Sequence, residues 1–176
     1  MLIKVEAAGI NYIDTYQRSG LYQIPLLTTL GLEASGTVEA IGSDVSRFKA
    51  GDRVAYTNVL GAYAEYSVVD QDKVVALPDG VSFNEGAAAM LQGCTAHYLS
   101  QSTYPIKKGD SCLIHAAAGG VGLILTQMAK NAGATVIGTV STQEKAEPAR
   151  ATGADADADA DADEVILYCE KNFETE

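Results

Sequence analysis

His115-Ala116-Ala117-Ala118-Gly119-Gly120-Val121-Gly122 lies between an apolar run, Asp110 to His115, and a longer amphipathic one, Gly120 to Asn131. A strand that passes through a turn of small residues into a helix turns backbone N–H groups toward one point. The positive end of the helix dipole adds to that field. Small side chains then let a pyrophosphate approach the main chain. Ala117 occupies the first position of the usual G-x-G-x-x-G spacing, so the bare motif is incomplete. A glycine-rich turn that only packs is the alternative. The strand before the turn and the helix after it favour a phosphate cradle, with Gly122 permitting close helix–sheet packing.

Reading downstream, Thr135 to Val140 is a second β-branched strand, Thr142 to Ala151 a helix, and Glu164 to Tyr168 a last strand. Strands alternating with helices predict a parallel, doubly wound sheet. In such sheets an Asp or Glu about 20 residues past the turn bonds the ribose hydroxyls of NAD. Here the second strand ends Gly138-Thr139-Val140-Ser141, without an acid, and Lys145 follows. A hydroxyl and a cation suit a 2′-phosphate, which favours NADPH. Glu144 stands beside them, and a solvated helix lysine is the alternative for Lys145.

Upstream the pattern is different. Ile3 to Ala7, Gly36 to Ile41, Arg53 to Tyr56, Ala62 to Val69 and Lys73 to Leu77 read as short strands divided by turns, among them Gly42-Ser43-Asp44 and Pro78-Asp79-Gly80. Strands at this spacing predict a compact β-barrel. Ser82-x-x-Glu85 is a capping box opening an Ala-rich helix, and Thr95 to Gln101 reads as a further helix. The join lies near Pro78 to Gln92, which predicts a first domain over residues 1–90 and a second over 91–176. Within the second, Ala154 to Asp163 is a strict Ala-Asp repeat, which reads as a solvated insertion without chemistry.

The chain has 176 residues and a net charge of −11, and more than half of that comes from Asp155, Asp157, Asp159, Asp161, Asp163 and Glu164. An acidic chain with no Lys/Arg cluster disfavours nucleic acid as a partner. Three scattered cysteines and two histidines form no recognisable zinc set and suit a reducing compartment. Leu113 to Ala129 is interrupted by His115, Thr126 and Gln127, a poor membrane span. The N-terminus has no signal-peptide layout, and the reading is cytoplasmic.

Gly9-Ile10-Asn11-Tyr12-Ile13-Asp14-Thr15-Tyr16 with Arg18-Ser19-Gly20, Gly51-Asp52-Arg53-Val54, Gly61-Ala62-Tyr63-Ala64-Glu65-Tyr66 and Ala116 to Gly122 together resemble the quinone oxidoreductases. These are zinc-free medium-chain dehydrogenases/reductases similar to the lens protein zeta-crystallin. The resemblance implies a partial GroES-like barrel followed by the first half of a Rossmann domain, with NADPH as cofactor and a quinone as substrate. It also implies a homodimer for the full-length family, and a chain that begins inside the barrel and stops after the third Rossmann strand. Zinc-dependent members carry Cys and His where this chain has Asn11 and Tyr12, and another His where it has Leu32.

By the same resemblance Asn11 and Tyr16 are the catalytic candidates, with Tyr16 also facing the nicotinamide. Thr95 lies beside the cofactor, Ala118, Gly119, Gly120, Val121 and Gly122 hold the pyrophosphate, Ser141 and Lys145 take the 2′-phosphate, and Tyr168 approaches the adenosine. The bland readings are a barrel-surface tyrosine for Tyr16 and a turn residue for Asn11. His97 and His115 read as packed or helix-surface residues. A nucleotide-binding but silent fragment, a structural crystallin-like protein and an enoyl-thioester reductase are the functional alternatives.

Overall fold

The computed structural model describes residues 1–151 and 164–170. It divides into two compact units, Met1–Leu91 and Gln92–Glu176. The Ala-Asp repeat lies outside the described residues.

The first unit is a five-stranded antiparallel sheet built from β1 (Leu2–Ala8), β2 (Glu33–Ala40), β3 (Arg53–Thr57), β4 (Tyr66–Val68) and β5 (Val74–Ala76), in the order β4-β1-β2-β3-β5. Alternation along these strands sends Ile3, Val38, Val54, Tyr56, Val69 and Val74 into one core. β1 and β2 cross closely at Gly36, where a Cβ would stand 2.0 Å from the Lys4 carbonyl oxygen.

Two strand expectations shift. β2 begins at Glu33 rather than Gly36, because the charged Glu33 is itself paired, opposite Thr57, and fully buried. The alternating run from Ala62 yields a strand only over Tyr66–Val68. The N–H groups of Gly61, Ala62 and Tyr63 turn away to the carbonyls of Gly31 and Leu30 at 2.9–3.2 Å.

A helix absent from the sequence reading, α1 (Tyr12–Ser19), follows β1. The Asp14 carboxylate accepts from the Asn11 amide at its start, and Gly20 closes it in the left-handed conformation (φ 80°). The capping box at Ser82 forms as expected, with Glu85 accepting from both the Ser82 amide and hydroxyl. The helix it opens, α2 (Phe83–His97), runs unbroken where two were expected, and a wider π-type turn continues it over Tyr98–Thr103. Gly93 does not interrupt it, since that position faces open space.

The second unit carries β6 (Ser111–His115), α3 (Gly120–Asn131), β7 (Thr135–Val140), α4 (Gln143–Arg150) and β8 (Glu164–Leu167). Its three strands are parallel in the order β6-β7-β8. That is one half of a doubly wound sheet. The core between helices and sheet is made largely of alanines, Ala117, Ala129, Ala146 and Ala149, around Ile114, Val136 and Val140. Small residues let α3 lie close on the sheet, which places its N-terminus directly over the end of β6.

Candidate functional site

The glycine turn follows from that close packing. β6 ends at His115, whose Nδ1 lies 3.0 Å from the Thr139 hydroxyl. Ala116 then takes a left-handed backbone (φ 53°), strained for a residue with a Cβ. The reversal is fixed by the Ala117 amide donating to the Thr139 carbonyl (3.1 Å) and the Gly119 amide donating to the Ala116 carbonyl (2.8 Å). α3 starts at Gly120, and its N-cap residue, Gly119, has no side chain to cap the first-turn amides.

Crowding explains the glycines. A Cβ on Gly122 would lie 2.4 Å from the Ala116 carbonyl oxygen and 2.7 Å from the Ala117 backbone. A Cβ on Gly120 would meet the Gln92 carboxamide at 2.1 Å, so Gln92, a residue the sequence reading missed, lies directly against the turn. Gly119 and Gly120 are exposed, Ala118 and Val121 half-buried, and Gly122 buried. Thr95, half-buried, stands one helical turn beyond Gln92 on α2.

The ends of the neighbouring strands bring the other expected residues to the same side of the sheet. After β7, the Lys145 ammonium donates to the Ser141 hydroxyl at 3.1 Å, and Thr142 caps α4 by accepting from the Lys145 amide. After β8, the Tyr168 amide donates to the Val140 carbonyl (3.1 Å), which holds Tyr168 beside the start of the Ser141 loop, half exposed. The glycine turn, the Ser141–Lys145 pair and Tyr168 therefore all stand at the carboxyl ends of the parallel strands. Open α/β sheets bind ligands there.

In the first unit the structure reveals a buried polar cluster around Asn11. The Asn11 Nδ2 donates to Glu33 Oε1 (2.7 Å), and the Leu91 amide donates to Glu33 Oε2 (2.6 Å). The Asn11 amide (2.8 Å) and the Tyr63 hydroxyl (2.6 Å) both donate to Asp14 Oδ2. Asn11, Asp14 and Glu33 are all buried. Burial pushes the Glu33 carboxyl above its ordinary range, the Leu91 and Asn11 N–H groups draw it back, and the nearby Asp14 charge adds to the rise. The Tyr63 phenol is pushed strongly upward, first by burial and then by its bond to Asp14.

Two glycines make room for these groups. A Cβ on Gly9 would lie 2.1 Å from Glu33 Oε1, and one on Gly31 (φ 91°) would lie 2.6 Å from the Tyr63 ring. The cluster opens on a cavity of about 520 Å³ lined by Ala8, Ile10, Asn11, Asp14, Arg18 and Tyr63.

Tyr16 is not among the residues lining this cavity. It stacks instead against Tyr12 (5.9 Å between ring centroids) and Tyr22 (5.4 Å). Glu33, Asp14 and Tyr63 were given no site role in the sequence reading; Gly9 and Gly31 leave room for Glu33 and Tyr63 but do not by themselves identify them. His97 is exposed at the end of α2.

Residues 1–79 match the model of the alcohol dehydrogenase GroES-like domain, and residues 120–173 match that of the zinc-binding dehydrogenases. The chain is 54% identical over 154 residues to a quinone oxidoreductase of Pseudomonas aeruginosa, an alignment covering 86% of this chain and 47% of that protein. Its fold matches the crystal structure of quinone oxidoreductase from Pseudomonas syringae pv. tomato at a TM-score of 0.91, with 48% identity, covering 99% of this chain and 52% of the other. The Escherichia coli quinone oxidoreductase complexed with NADPH superposes at a TM-score of 0.90, with 47% identity, covering 97% of this chain and 51% of that one. The chain thus spans about half the length of the curated relatives it matches. With both family models matched in order along the chain, on the sheets that the two units display, this chain belongs to the medium-chain dehydrogenase/reductase family, in its quinone oxidoreductase group.

Proposed function

We propose that this chain carries the NADPH cradle and the acceptor-facing residues of an NADPH-dependent quinone oxidoreductase. The observation that supports it most is the common placement of the glycine turn, the Ser141–Lys145 pair and Tyr168 at one end of the parallel sheet. The turn fits a pyrophosphate because Gly120 and Gly122 leave no room for a Cβ and the first-turn amides of α3 carry no side-chain cap. Ala118 to Gly122 would hold that group, with Thr95 beside the cofactor. Ser141 and Lys145 would hold a 2′-phosphate, with Tyr168 toward the adenosine.

When bound, NADPH supplies a hydride, two electrons with one hydrogen nucleus, and a quinone taking that hydride and one proton becomes the hydroquinone. The chain's own task is to orient and to stabilise. Asn11 offers its remaining carboxamide N–H to the oxygen on which negative charge develops; Tyr16, which does not line the Asn11 cavity, would face the nicotinamide rather than that oxygen. Tyr63 is a poor proton source, because burial and Asp14 hold its phenol protonated. Solvent is then the source of the proton.

The residues present do not fit the zinc that the second family model's description suggests. Asn11, Tyr12 and Leu32 supply neither thiolate nor imidazole, and among the described residues no group of three His, Cys, Asp or Glu side chains is placed to hold a metal ion. No helix of the described residues is long and apolar enough to cross a membrane. Three unpaired cysteines suit a reducing, cytoplasmic setting.

The test is a titration of the 176-residue chain with NADPH and NADH, read by nucleotide fluorescence because the chain has no tryptophan. Lys145→Ala removes a charge-assisted contact worth about 1.5–3 kcal/mol. NADPH affinity should fall roughly 10- to 100-fold while NADH affinity holds. Equal affinity for the two nucleotides in the unmutated chain would overturn the cofactor assignment. Tight NADPH binding without turnover of a benzoquinone or naphthoquinone would reduce the reading to nucleotide binding alone.

A further inference from the structure

We infer that Glu33 is a positioning residue that holds the Asn11 carboxamide in one orientation toward the cavity, with the Asp14–Tyr63 pair clamping the backbone of the same residue. The functional weight of this inference rests on the reading of Asn11 as the acceptor-facing group. The geometry does not.

A carboxamide is nearly symmetrical in shape, and a half-turn exchanges its oxygen for its nitrogen. What selects one state is the partner. Glu33 Oε1, 2.7 Å from Asn11 Nδ2, accepts and cannot donate as a carboxylate, so the nitrogen must face it. One N–H is thereby spent on Glu33, and the other N–H and the carbonyl oxygen have their directions set. Glu33 is itself held on both oxygens. Its second oxygen takes the Leu91 amide, it is fully buried, and Gly9 clears the space beside Oε1 to 2.1 Å of a missing Cβ.

Asn11 is restrained at its backbone as well. Its amide donates to Asp14 Oδ2, and that same oxygen takes the Tyr63 hydroxyl from a loop 49 residues away. Gly31 clears the Tyr63 ring. The four side chains therefore act as a fixture: two acids, one donor phenol, and one asparagine that both acids grip.

The charge state matters to the fixture. The carboxylate form of Glu33 accepts on both oxygens, whereas a glutamine would present an N–H to one of the two donors. Either one donor would lose its bond to residue 33, or the Asn11 carboxamide would flip to present its oxygen to the glutamine N–H. A misdirected polar group near a reacting centre costs on the order of 100-fold in rate.

The experiment is nuclear magnetic resonance of the Asn11 side-chain amide in the unmutated chain across a pH titration, followed by steady-state kinetics of variants. One Asn11 N–H should lie well downfield and move with the protonation of Glu33. In Glu33→Gln that downfield position should be lost. An Asn11 resonance unmoved by pH and by the substitution overturns the positioning role, whatever the activity.

In kinetics, Glu33→Gln should lower kcat about 10- to 100-fold with NADPH affinity unchanged. Adding Asn11→Ala to Glu33→Gln should cost no more than Asn11→Ala alone. Additive losses would mean that Glu33 supports the fold rather than Asn11, and would refute the inference. An unmutated chain that shows the coupled amide signal but no turnover removes the proposed activity and leaves the positioning of Asn11 standing.

Discussion

Gly122→Ala isolates the close approach on which the glycine turn depends. In a solvated helix the change should stabilise, since alanine exceeds glycine by about 1 kcal/mol in helix propensity. Here the new Cβ would lie 2.4 Å from the Ala116 carbonyl oxygen and 2.7 Å from the Ala117 Cα and carbonyl oxygen. These are backbone atoms, so no rotamer change relieves the overlap. Either α3 moves off the end of β6 or the strained turn at Ala116 opens. Overpacking of this kind costs about 1–3 kcal/mol, which cancels the propensity gain and leaves a net loss of up to about 2 kcal/mol. The assay is urea denaturation followed by far-ultraviolet circular dichroism, with Gly93→Ala as the internal control. Gly93 is also helical but faces open space, so that variant should gain stability by about 0.5–1 kcal/mol. If Gly122→Ala stabilises the chain as Gly93→Ala is expected to, the packing account of the turn is wrong.

Other outcomes follow from the same geometry. Ala116→Gly relieves a left-handed alanine (φ 53°), and after the entropy that glycine adds to the unfolded chain it should raise the urea midpoint by up to about 1 kcal/mol equivalent. Glu33 and Glu85 should titrate stability in opposite directions, which paired urea melts across acid pH can read. The folded state raises the Glu33 pKa through burial, so its contribution is fullest below the unfolded value and declines as pH rises through the folded one. The unmutated chain should therefore gain on Glu33→Gln as pH falls. Glu85 is lowered by the Ser82 hydroxyl and then the Ser82 amide, so its contribution is lost as pH falls, and the unmutated chain should lose ground to Glu85→Gln. Matching slopes for the two variants would contradict both assignments.

The second unit was the more legible in the sequence because its local signals agree with one another. Gly120–Asn131 and Thr135–Val140 begin and end where their patterns do, since small residues, helix periodicity and β-branched runs all point the same way. α1 was missed although Asn11, Asp14 and Gly20 mark both of its ends. It spans eight residues, too few for apolar periodicity to show, and its tyrosines do not mark a single buried face. With α1 in view, the separation of Asn11 from Tyr16 follows from geometry: five residues on a helix turn through about 140°. Glu33 was opaque for a different reason. Its burial rests on donors 22 and 58 residues away, and no local pattern shows that a charge in a strand will find them.

Those donors also explain why position 11 carries an asparagine. Neither Asp14 nor Glu33 belongs to the ion pairs seen, Lys4–Glu6 and Arg47–Asp72; neutral N–H and O–H groups hold both oxygens of Glu33 and one of Asp14, whose Oδ1 is buried without a donor. A buried carboxylate without such donors would be protonated or would unfold its surroundings. Asn11 alone serves both, its backbone N–H to Asp14 and its side-chain N–H to Glu33. Aspartate at this position would set a third carboxylate against the other two. Alanine would leave one oxygen of Glu33 unpaired. A neutral side chain with two N–H bonds meets the structural need with one and keeps the other for the cavity. Asn11 thus donates to both buried acids and still lines the cavity.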